Sequence, residues 1–416
     1  MRSHSAPQPN GQTEGQRSRA FGWLWSAYAV STYGTWVAFG AFPFVAVAVL
    51  DSTAFAVAVM EAAGLAVAAV VAFPLGPWVE RRAKRTVMIW MDLARFLAMA
   101  SVPAAYLLGV LTYLQLVVVS VVSGTASIAF TAASGAYLKY LVSGDRLLLA
   151  NGRFEGTSWV ATAAGPPLGG ALIALLGPVV TIVANALSYL VSAVGILCIR
   201  GGDVASPRDA ADQGARKLDL LGGWRYIHRD RVLRRLFFNS ILVGALIMAT
   251  NPILAVLLLG EYHFSALQYG LAFGIPALGG FFGARLSNPL VTRYGRHRVM
   301  TISGWLRSLP LIGLVFVQPG IAGLVTVIVV EGLLITCMGI FNPIYATERL
   351  QRTPPDHVAR VLSTWTVSSR ILQAGFMVIW GILATFTGTI AAIGVAGVLL
   401  LATPLLLPNR THFVAR

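Results

Sequence analysis

Two stretches that lie half a chain apart share a pattern that decides the fold. Residues 76–88 read Gly-Pro-Trp-Val-Glu-Arg-Arg-Ala-Lys-Arg-Thr-Val-Met, and residues 288–300 read Asn-Pro-Leu-Val-Thr-Arg-Tyr-Gly-Arg-His-Arg-Val-Met. The offset of 212 residues (288 minus 76) is about half of the 416-residue chain. The same offset pairs Arg95 with Arg307. An internal repeat of this length predicts two halves of the same architecture.

Long apolar runs surround both stretches. The chain is 56% hydrophobic and 11% charged, whereas soluble domains carry about 25% charged residues. A membrane-spanning helix needs about 20 mostly apolar residues. Runs of this kind occur near 21–49, 53–75, 86–108, 112–136, 154–175, 178–199, 235–259, 265–290, 299–317, 321–345, 358–383 and 387–408. We therefore predict an all-α membrane protein with twelve transmembrane helices in two pseudo-symmetric six-helix halves.

The longest polar stretch divides the chain into these halves. Residues 200–234 follow the sixth run, and their second part has the amphipathic spacing of a helix on a membrane surface. The first 20 residues are polar and lack the apolar core of a signal peptide. The predicted organisation is a disordered tail at 1–20, helical bundles at 21–199 and 235–408, a linker at 200–234, and a tail at 409–416.

The positive charges predict how the chain is oriented. Lys and Arg total 31 against 16 acidic residues, a net charge of +15. Clusters of base lie in the tails, in the middle linker and in the even-numbered connections, and the odd-numbered connections contain no Lys or Arg. This asymmetry follows the positive-inside rule, so we expect both termini on the cytoplasmic side of the cell membrane. Charge dispersed over separate loops argues against nucleic-acid binding.

With twelve spans, a six-plus-six repeat and a basic loop after the second span, the chain resembles the major facilitator superfamily. That family's loop signature is Gly-x-x-x-Asp-Arg-x-Gly-Arg-Arg. It maps on a set of five residues here: Gly76, Glu80, Arg81, Lys84 and Arg85. Glu80 replaces the aspartate, Ala83 replaces the second glycine, and Thr292 holds the acidic position in the second half. The signature is thus degenerate in the second half.

A second signature lies in the fifth span. Antiporters and exporters of the superfamily carry Gly, eight residues, Gly, three residues, Gly-Pro, two residues, Gly-Gly. Gly152 begins the pattern here, Ala161 replaces its middle glycine, and Gly165-Pro166 and Gly169-Gly170 complete it. The chain is similar to the macrolide-efflux and enterobactin-exporter branch. This resemblance implies export.

The basic loop carries candidate residues of a conformational gate. The resemblance implies that Glu80 meets the N-terminus of the eleventh helix, near 354–356, where the helix dipole favours an anion. Arg81, Lys84 and Arg85 would then anchor the loop to lipid phosphates or acidic neighbours. The alternative is that these charges only orient the chain.

The fifth span also predicts a seam between the halves. Gly165, Gly169 and Gly170 allow a close helix approach, and Pro166 removes a backbone donor and bends the helix. The eighth span offers a matching face of glycines at Gly279, Gly280 and Gly283. Ordinary packing of small residues is the alternative.

Four residues are candidates for binding substrate or protons. Glu61 and Glu331 lie eight or nine residues from the outer ends of their helices, which is near the bilayer midplane. Ionisable residues at that depth are costly and mark functional sites, although a neutral, hydrogen-bonded glutamate is the alternative. Arg370 is a candidate for an anionic group or for snorkelling to the interface. Trp36 lines an apolar cavity or packs in the core.

Asp92 and Arg95 complete the gate candidates. They lie three residues apart on the third helix, so they can pair. We favour structural pairing, together with the basic loop, over substrate contact. Arg307 is the repeat mate of Arg95, whereas Asp92 corresponds to Gly304.

The remaining features exclude several classes. We expect all six histidines in tails or loops, the two cysteines lack metal-ligand spacing, and no phosphate-binding Gly-x-x-x-x-Gly-Lys loop occurs. We expect no enzyme activity, no cofactor and no metal. The expected function is proton-driven efflux of an amphipathic small molecule, such as a drug, by a monomer in the lipid bilayer. Siderophore export, nutrient uptake and lipid flipping are the alternatives.

Overall fold

The structure is a computed structural model, which describes residues 14–142, 145–199, 222–353 and 358–408. Within these ranges the chain is helical and contains no β-strand. Eleven of the described segments are long and apolar enough to cross a membrane. Ala266–Tyr294 is not among the eleven, because its many glycines and two prolines dilute the apolar side chains. It is nonetheless a 29-residue helix that packs beside long apolar helices.

The first half contains six spans, which are numbered here in chain order. Span 1 is broken into Glu14–Val37 and Ala41–Ala48, and spans 2 to 6 are Ala54–Arg81, Lys84–Leu107, Tyr113–Leu141, Asp145–Leu176 and Pro178–Leu197. The connections between spans 1 and 2, 3 and 4, and 5 and 6 are short. They lie on one side of the molecule, called the short-loop face. The opposite side, which carries the basic loops, is called the basic face.

The second half repeats this order after a short helix, Gly222–Arg229. Span 7 is Arg231–Ala255 with a π-helical end, Val256–Glu261, and span 8 is Ala266–Tyr294. Span 9 is Arg296–Leu306 with a 3₁₀ segment, Pro310–Phe316, and span 10 is Ile321–Gln351. Span 11 is Val358–Thr387, and span 12 is Thr389–Ala402 followed by Thr403–Leu406. The predicted fold class is thereby confirmed, whereas most of the predicted linker lies outside the described residues.

Helix caps explain the sharp turns on the short-loop face. Thr53 and Thr112 accept hydrogen bonds from the first backbone amides of spans 2 and 4, and Ser265 forms a reciprocal capping box with Gln268. Gly177 has a φ of 86°, which glycine adopts at no steric cost, and Pro178 follows at the first helical position. These caps let antiparallel spans follow each other within a few residues.

The apolar core is distributed unevenly between the two faces. Near the short-loop face, one large cluster joins both halves, with Val45 and Ile182 from the first and Leu257 and Leu311 from the second. Near the basic face, each half has a cluster of its own. The first-half cluster includes Leu24, Met88 and Tyr137, and the second-half cluster includes Phe237, Met300 and Phe341. Among the described residues, the two halves therefore share one core near the short-loop face and have separate cores near the basic face.

Candidate substrate cavity between the halves

A cavity of about 550 Å³ lies between the two halves. Spans 1 to 4 and 6 supply most of its wall, and three residues come from the second half: Met248, Arg370 and Met377. Its wall is largely apolar, with polar and charged groups at separate points. An apolar pocket with few polar groups is the usual form of a small-molecule site.

Glu61 of span 2 lies in this wall and is partly buried. It forms no hydrogen bond or ion pair with the residues that the structure describes. One turn further, Gly64 lets spans 2 and 4 approach, since a methyl group there would lie 2.6 Å from the hydroxyl of Ser120. Tyr269 of span 8 lies within electrostatic range of Glu61. A carboxylate is thus held at the cavity by close helix packing and not by a charged partner.

Arg370 of span 11 lies in the same wall and is exposed to the cavity. It lies 12 residues beyond Val358, where the helix begins, which is about 18 Å at 1.5 Å per residue. That depth disfavours snorkelling to the basic face. In the described part of the chain it has no ion-pair partner. The structure therefore brings Glu61 and Arg370, two residues 309 positions apart in the chain (370 minus 61), to one cavity.

Arg95 also reaches the wall, but its charge is compensated. Its guanidinium donates to the carboxylate of Asp92, which is fully buried. The guanidinium lies 4.8 Å from the ring centre of Phe130 and 4.4 Å from that of Tyr189. The predicted pair is present. Within the ranges that the structure describes, the guanidinium of Arg95 contacts these two rings and not the basic loop, because Arg95 lies about three turns from the start of span 3.

The basic loop is held by helix ends. Lys84 donates to the carbonyl oxygens of Val79 and Arg82, each at 2.9 Å, and Arg85 donates to those of Ile196 and Leu197 at 3.1 and 2.7 Å. Cations at the C-terminal ends of spans 2 and 6 thus bind the last carbonyl groups of these helices, where the regular helical hydrogen-bond pattern ends. The contacts of Lys84 and Arg85 with lipid phosphates or acidic neighbours stay a prediction, to which the structure adds these carbonyl partners.

The predicted contact of Glu80 with span 11 lies outside the described residues. The helix of span 2 runs through Gly76, Glu80 and Arg81, but the surroundings of these three residues and residues 354–357 are not among those described. The gate at this position stays a prediction.

Spans 5 and 8 pack closely, as predicted, but several of the glycines predicted to form this seam face other helices. A side chain on Gly170 would overlap the backbone of Ala266, and one on Gly270 would overlap the carbonyl of Pro166. Gly165 and Gly169 instead face Trp36 and Val37 of span 1. The physical reason is helical phase, because adjacent residues differ by about 100° around the axis.

The predicted glycine face of span 8 is likewise divided between neighbours. Gly279 and Gly283 approach Thr336 of span 10, whereas Gly280 faces Trp159 of span 5 and Ile335. Near this seam, the void beside Tyr269 and Gly270 measures about 10 Å³, which is room for about one water. Backbone-to-backbone packing thus closes the short-loop face.

Two predicted binding residues lie outside the cavity wall. Trp36 packs its Cβ against Gly165 and stacks on Phe39 at 5.6 Å, which agrees with the packing alternative. Glu331 is buried on span 10, where the described residues provide no ion pair or hydrogen bond for its side chain. Although the sequence predicts the same bilayer depth for Glu61 and Glu331, only Glu61 lies in the cavity wall.

Sequence reasoning missed several polar residues of the wall. Ser120, Ser123 and Ser127 line it from span 4, and Asn185 from span 6. The serine spacing of three and four residues is that of one helix face and was the available signal. Sequence reasoning also missed Asn239, whose amide oxygen accepts a hydrogen bond from buried Arg307.

Residues 14–412 match the model of the family described as "Transmembrane secretion effector". The chain belongs to this family of the major facilitator superfamily. The transporter is 23% identical over 231 residues to the "Uncharacterized MFS-type transporter YvqJ" of Bacillus subtilis (strain 168), and the match spans 55% of each chain.

Solved structures share the fold of the transporter. The nucleoside transporter NupG is similar with a TM-score of 0.72 and 13% identity over 96% of this chain and all of that one (100%). A bacterial homologue of the human lysosomal transporter Spinster, inward-facing and unoccupied, has a TM-score of 0.69 and 12% identity over 95% of each chain. A bacterial homologue of the iron transporter ferroportin has a TM-score of 0.66 and 18% identity, over 93% of this chain and 99% of that one. The family match over residues 14–412 and the membrane-spanning helices identify the chain as a multi-pass membrane transporter and not an enzyme, and the solved structures agree with this fold.

Proposed function

We propose that the transporter is a secondary active exporter that moves an amphipathic small molecule across the cytoplasmic membrane by alternating access. The observation that carries the proposal is the cavity of about 550 Å³ between halves whose described residues share a core near one face and form separate cores near the other. Since positive-inside reasoning puts the basic face in the cytoplasm, this arrangement accepts a substrate from the cytoplasm.

Glu61 is the residue that we propose for proton coupling. It is a carboxyl group of a membrane span, it lies in the cavity wall, and no described charged residue pairs with it. Ionisable residues inside a membrane commonly mark proton and substrate pathways. A proton that enters from outside would compete with bound substrate for this carboxylate. Glu331 is the weaker candidate, because it lies outside the wall. No cofactor is required, since a proton gradient supplies the energy.

Two observations favour export over uptake. The family description names secretion, and the glycine pattern of span 5 resembles that of exporters. The tight packing of Gly170 and Gly270 provides a contact about which the halves could rock without opening a leak. Siderophore export uses the same direction, whereas nutrient uptake and lipid flipping are the rival functions.

Transport by everted membrane vesicles tests the proposal. With the interior made acidic, an exporter should accumulate the amphipathic cationic dye rhodamine 6G inside the vesicles, and collapse of the pH gradient should release it. Glu61→Gln should reduce this accumulation at least ten-fold, whereas Glu155→Gln, an exposed carboxylate of span 5, should not change it. Accumulation only in right-side-out vesicles would identify uptake. Unchanged dye transport and proton flux in Glu61→Gln would overturn the coupling assignment.

A further inference from the structure

We propose that the cavity selects ligands that carry a positive and a negative group at opposite ends of an apolar middle. Glu61 receives the cationic group, and Arg370 receives the anionic group. This inference rests on the proposed function, because it assigns a substrate class to the same cavity.

The charges in the cavity wall are only partly balanced by partners. Among the described residues of the wall, three carry a formal charge: Glu61, Arg95 and Arg370. Arg95 is neutralised by Asp92, and its guanidinium also lies over two aromatic rings. Glu61 and Arg370 have no ion pair or hydrogen bond within the described ranges. The cavity therefore presents one uncompensated negative group and one uncompensated positive group.

Glu61 and Arg370 belong to opposite halves of the molecule. Spans 2 and 11 run in opposite directions and touch, since a methyl group on Gly381 would lie 2.8 Å from the Cβ of Ala58. Further along, Ala62 packs in one cluster with Ala374 and Met377. Glu61 precedes this cluster on the side of the short-loop face, and Arg370 lies one turn beyond it on the side of the basic face.

Glu61 and Arg370 lie at different heights along the two helices. The contacts between spans 2 and 11 show which positions of the two helices lie side by side. Arg370 lies beside a position of span 2 that is about two turns beyond Glu61. At 1.5 Å per residue, the two residues are separated by about 10 Å along the helix axes. The small apolar cluster lies between them. The two side chains therefore do not neutralise each other in this arrangement of the halves, and a ligand must be extended to reach both.

The wall between the charges suits such a ligand. Phe39, Leu65, Met99, Met248 and Met377 supply apolar surface, and methionine side chains adapt to ligands of different shapes. An isolated charge is costly in an apolar environment unless it is paired. A ligand with both charges pairs both groups, whereas a ligand with one charge leaves the other uncompensated. Because the charges belong to different halves, only the doubly charged ligand bridges them.

Calorimetric binding to the purified full-length protein in detergent tests this inference. The probes are 8-aminooctanoate, whose extended chain matches the separation, its singly charged counterparts octylamine and octanoate, and the shorter 4-aminobutanoate. We expect 8-aminooctanoate to bind at least ten-fold more tightly than each of the other three probes. Glu61→Gln should lower its affinity about ten-fold and leave that of octanoate unchanged. Arg370→Gln should also lower the affinity for 8-aminooctanoate about ten-fold and leave the affinity for octylamine unchanged.

Matched controls separate charge recognition from loss of fold. Glu155→Gln and Arg285→Gln change exposed residues of spans 5 and 8 outside the wall and should alter no affinity. Equal affinity for octylamine and 8-aminooctanoate, or unchanged affinities in both cavity variants, would overturn the inference. Vesicle transport decides the exporter function separately. Charge-selective binding without accumulation of 8-aminooctanoate in everted vesicles refutes export alone, whereas accumulation in the vesicles without charge-selective binding refutes only the substrate class.

Discussion

The two halves contain buried arginines that the repeat relates, and their surroundings differ. Arg95 in span 3 donates to the carboxylate of Asp92, whereas Arg307 in span 9 donates to the neutral amide of Asn239. Both guanidinium groups lie over aromatic rings, at 4.4 Å for Tyr189 and 3.6 Å for Phe341. The first half therefore holds a neutral pair at the cavity, and the second half holds in its core a cation for which the described residues provide no acidic partner.

This difference shows what duplication preserves and what it does not. The arginine and its aromatic contact are present in both halves, but the acidic partner is present in one. Asn239 belongs to span 7 and also donates to the carbonyl of Thr403 at 2.8 Å, so it ties Arg307 to span 12. Asp92, by contrast, lies on the same helix as Arg95. The second-half arginine thus links three spans, and the first-half arginine contributes to the cavity wall.

The largest effect is expected when the neutral pair is broken. Arg95→Met leaves the fully buried carboxylate of Asp92 without its cation. Removal of one partner of a buried pair costs about 3–5 kcal/mol. We expect a loss of this size in the free energy of unfolding, measured by titrating the protein from mild detergent into SDS.

The double variant Asp92→Asn/Arg95→Met is the matched control for this prediction. Because no unpaired charge remains, it should be more stable than Arg95→Met alone. A double variant that is no more stable than the single variant would show that the pair contributes packing and not charge compensation.

A smaller effect is expected at the second arginine. Arg307→Met removes a cation that has no acidic partner in the described part of the chain, so no opposite charge is left stranded. The cost is the hydrogen bond to Asn239 and the contact with Phe341, about 1–2 kcal/mol in the free energy of unfolding. The same SDS titration measures it. If Arg307→Met costs as much as Arg95→Met, the contrast between the halves is wrong.

The smallest effect is expected when the second half is made to resemble the first. Asn239→Asp places a carboxylate where the amide oxygen accepts from Arg307 and forfeits the hydrogen bond to Thr403. The guanidinium donor is already charged, and the carboxylate adds the attraction of an opposite charge at the same contact, so stability should rise by on the order of 1 kcal/mol. Asn239→Leu serves as the control and should destabilise the protein. If Asn239→Asp is less stable, the lost hydrogen bond to Thr403 of span 12 contributes more to stability than the added charge beside Arg307.

The two intramembrane glutamates illustrate how far sequence reasoning reaches. Hydropathy and depth treat Glu61 and Glu331 alike, and both prove to be partly or fully buried in spans 2 and 10. Only Glu61 lies in the cavity wall. The difference depends on how each helix is rotated and on which helices surround it, which a single sequence does not specify.

The glycines of span 5 show the same limit. Their presence predicted a close approach of helices, and close approaches occur at Gly165, Gly169 and Gly170. The partner differs among them, since Gly165 and Gly169 meet span 1 and Gly170 meets span 8. Small residues predict that backbones come close, but the phase of each helix decides which ones.

The sequence by itself determined that the chain is helical and crosses a membrane repeatedly, that it consists of two related halves, and that its base collects on one face. Lipid imposes these properties locally, because backbone groups must be paired within each helix and charges avoid the apolar layer. Only the tertiary structure decided that Glu61 and Arg370 share one cavity, and that the halves meet at the short-loop face. These relations depend on helix rotation and on contacts between residues hundreds of positions apart, and such contacts are made by packing and not by local pattern.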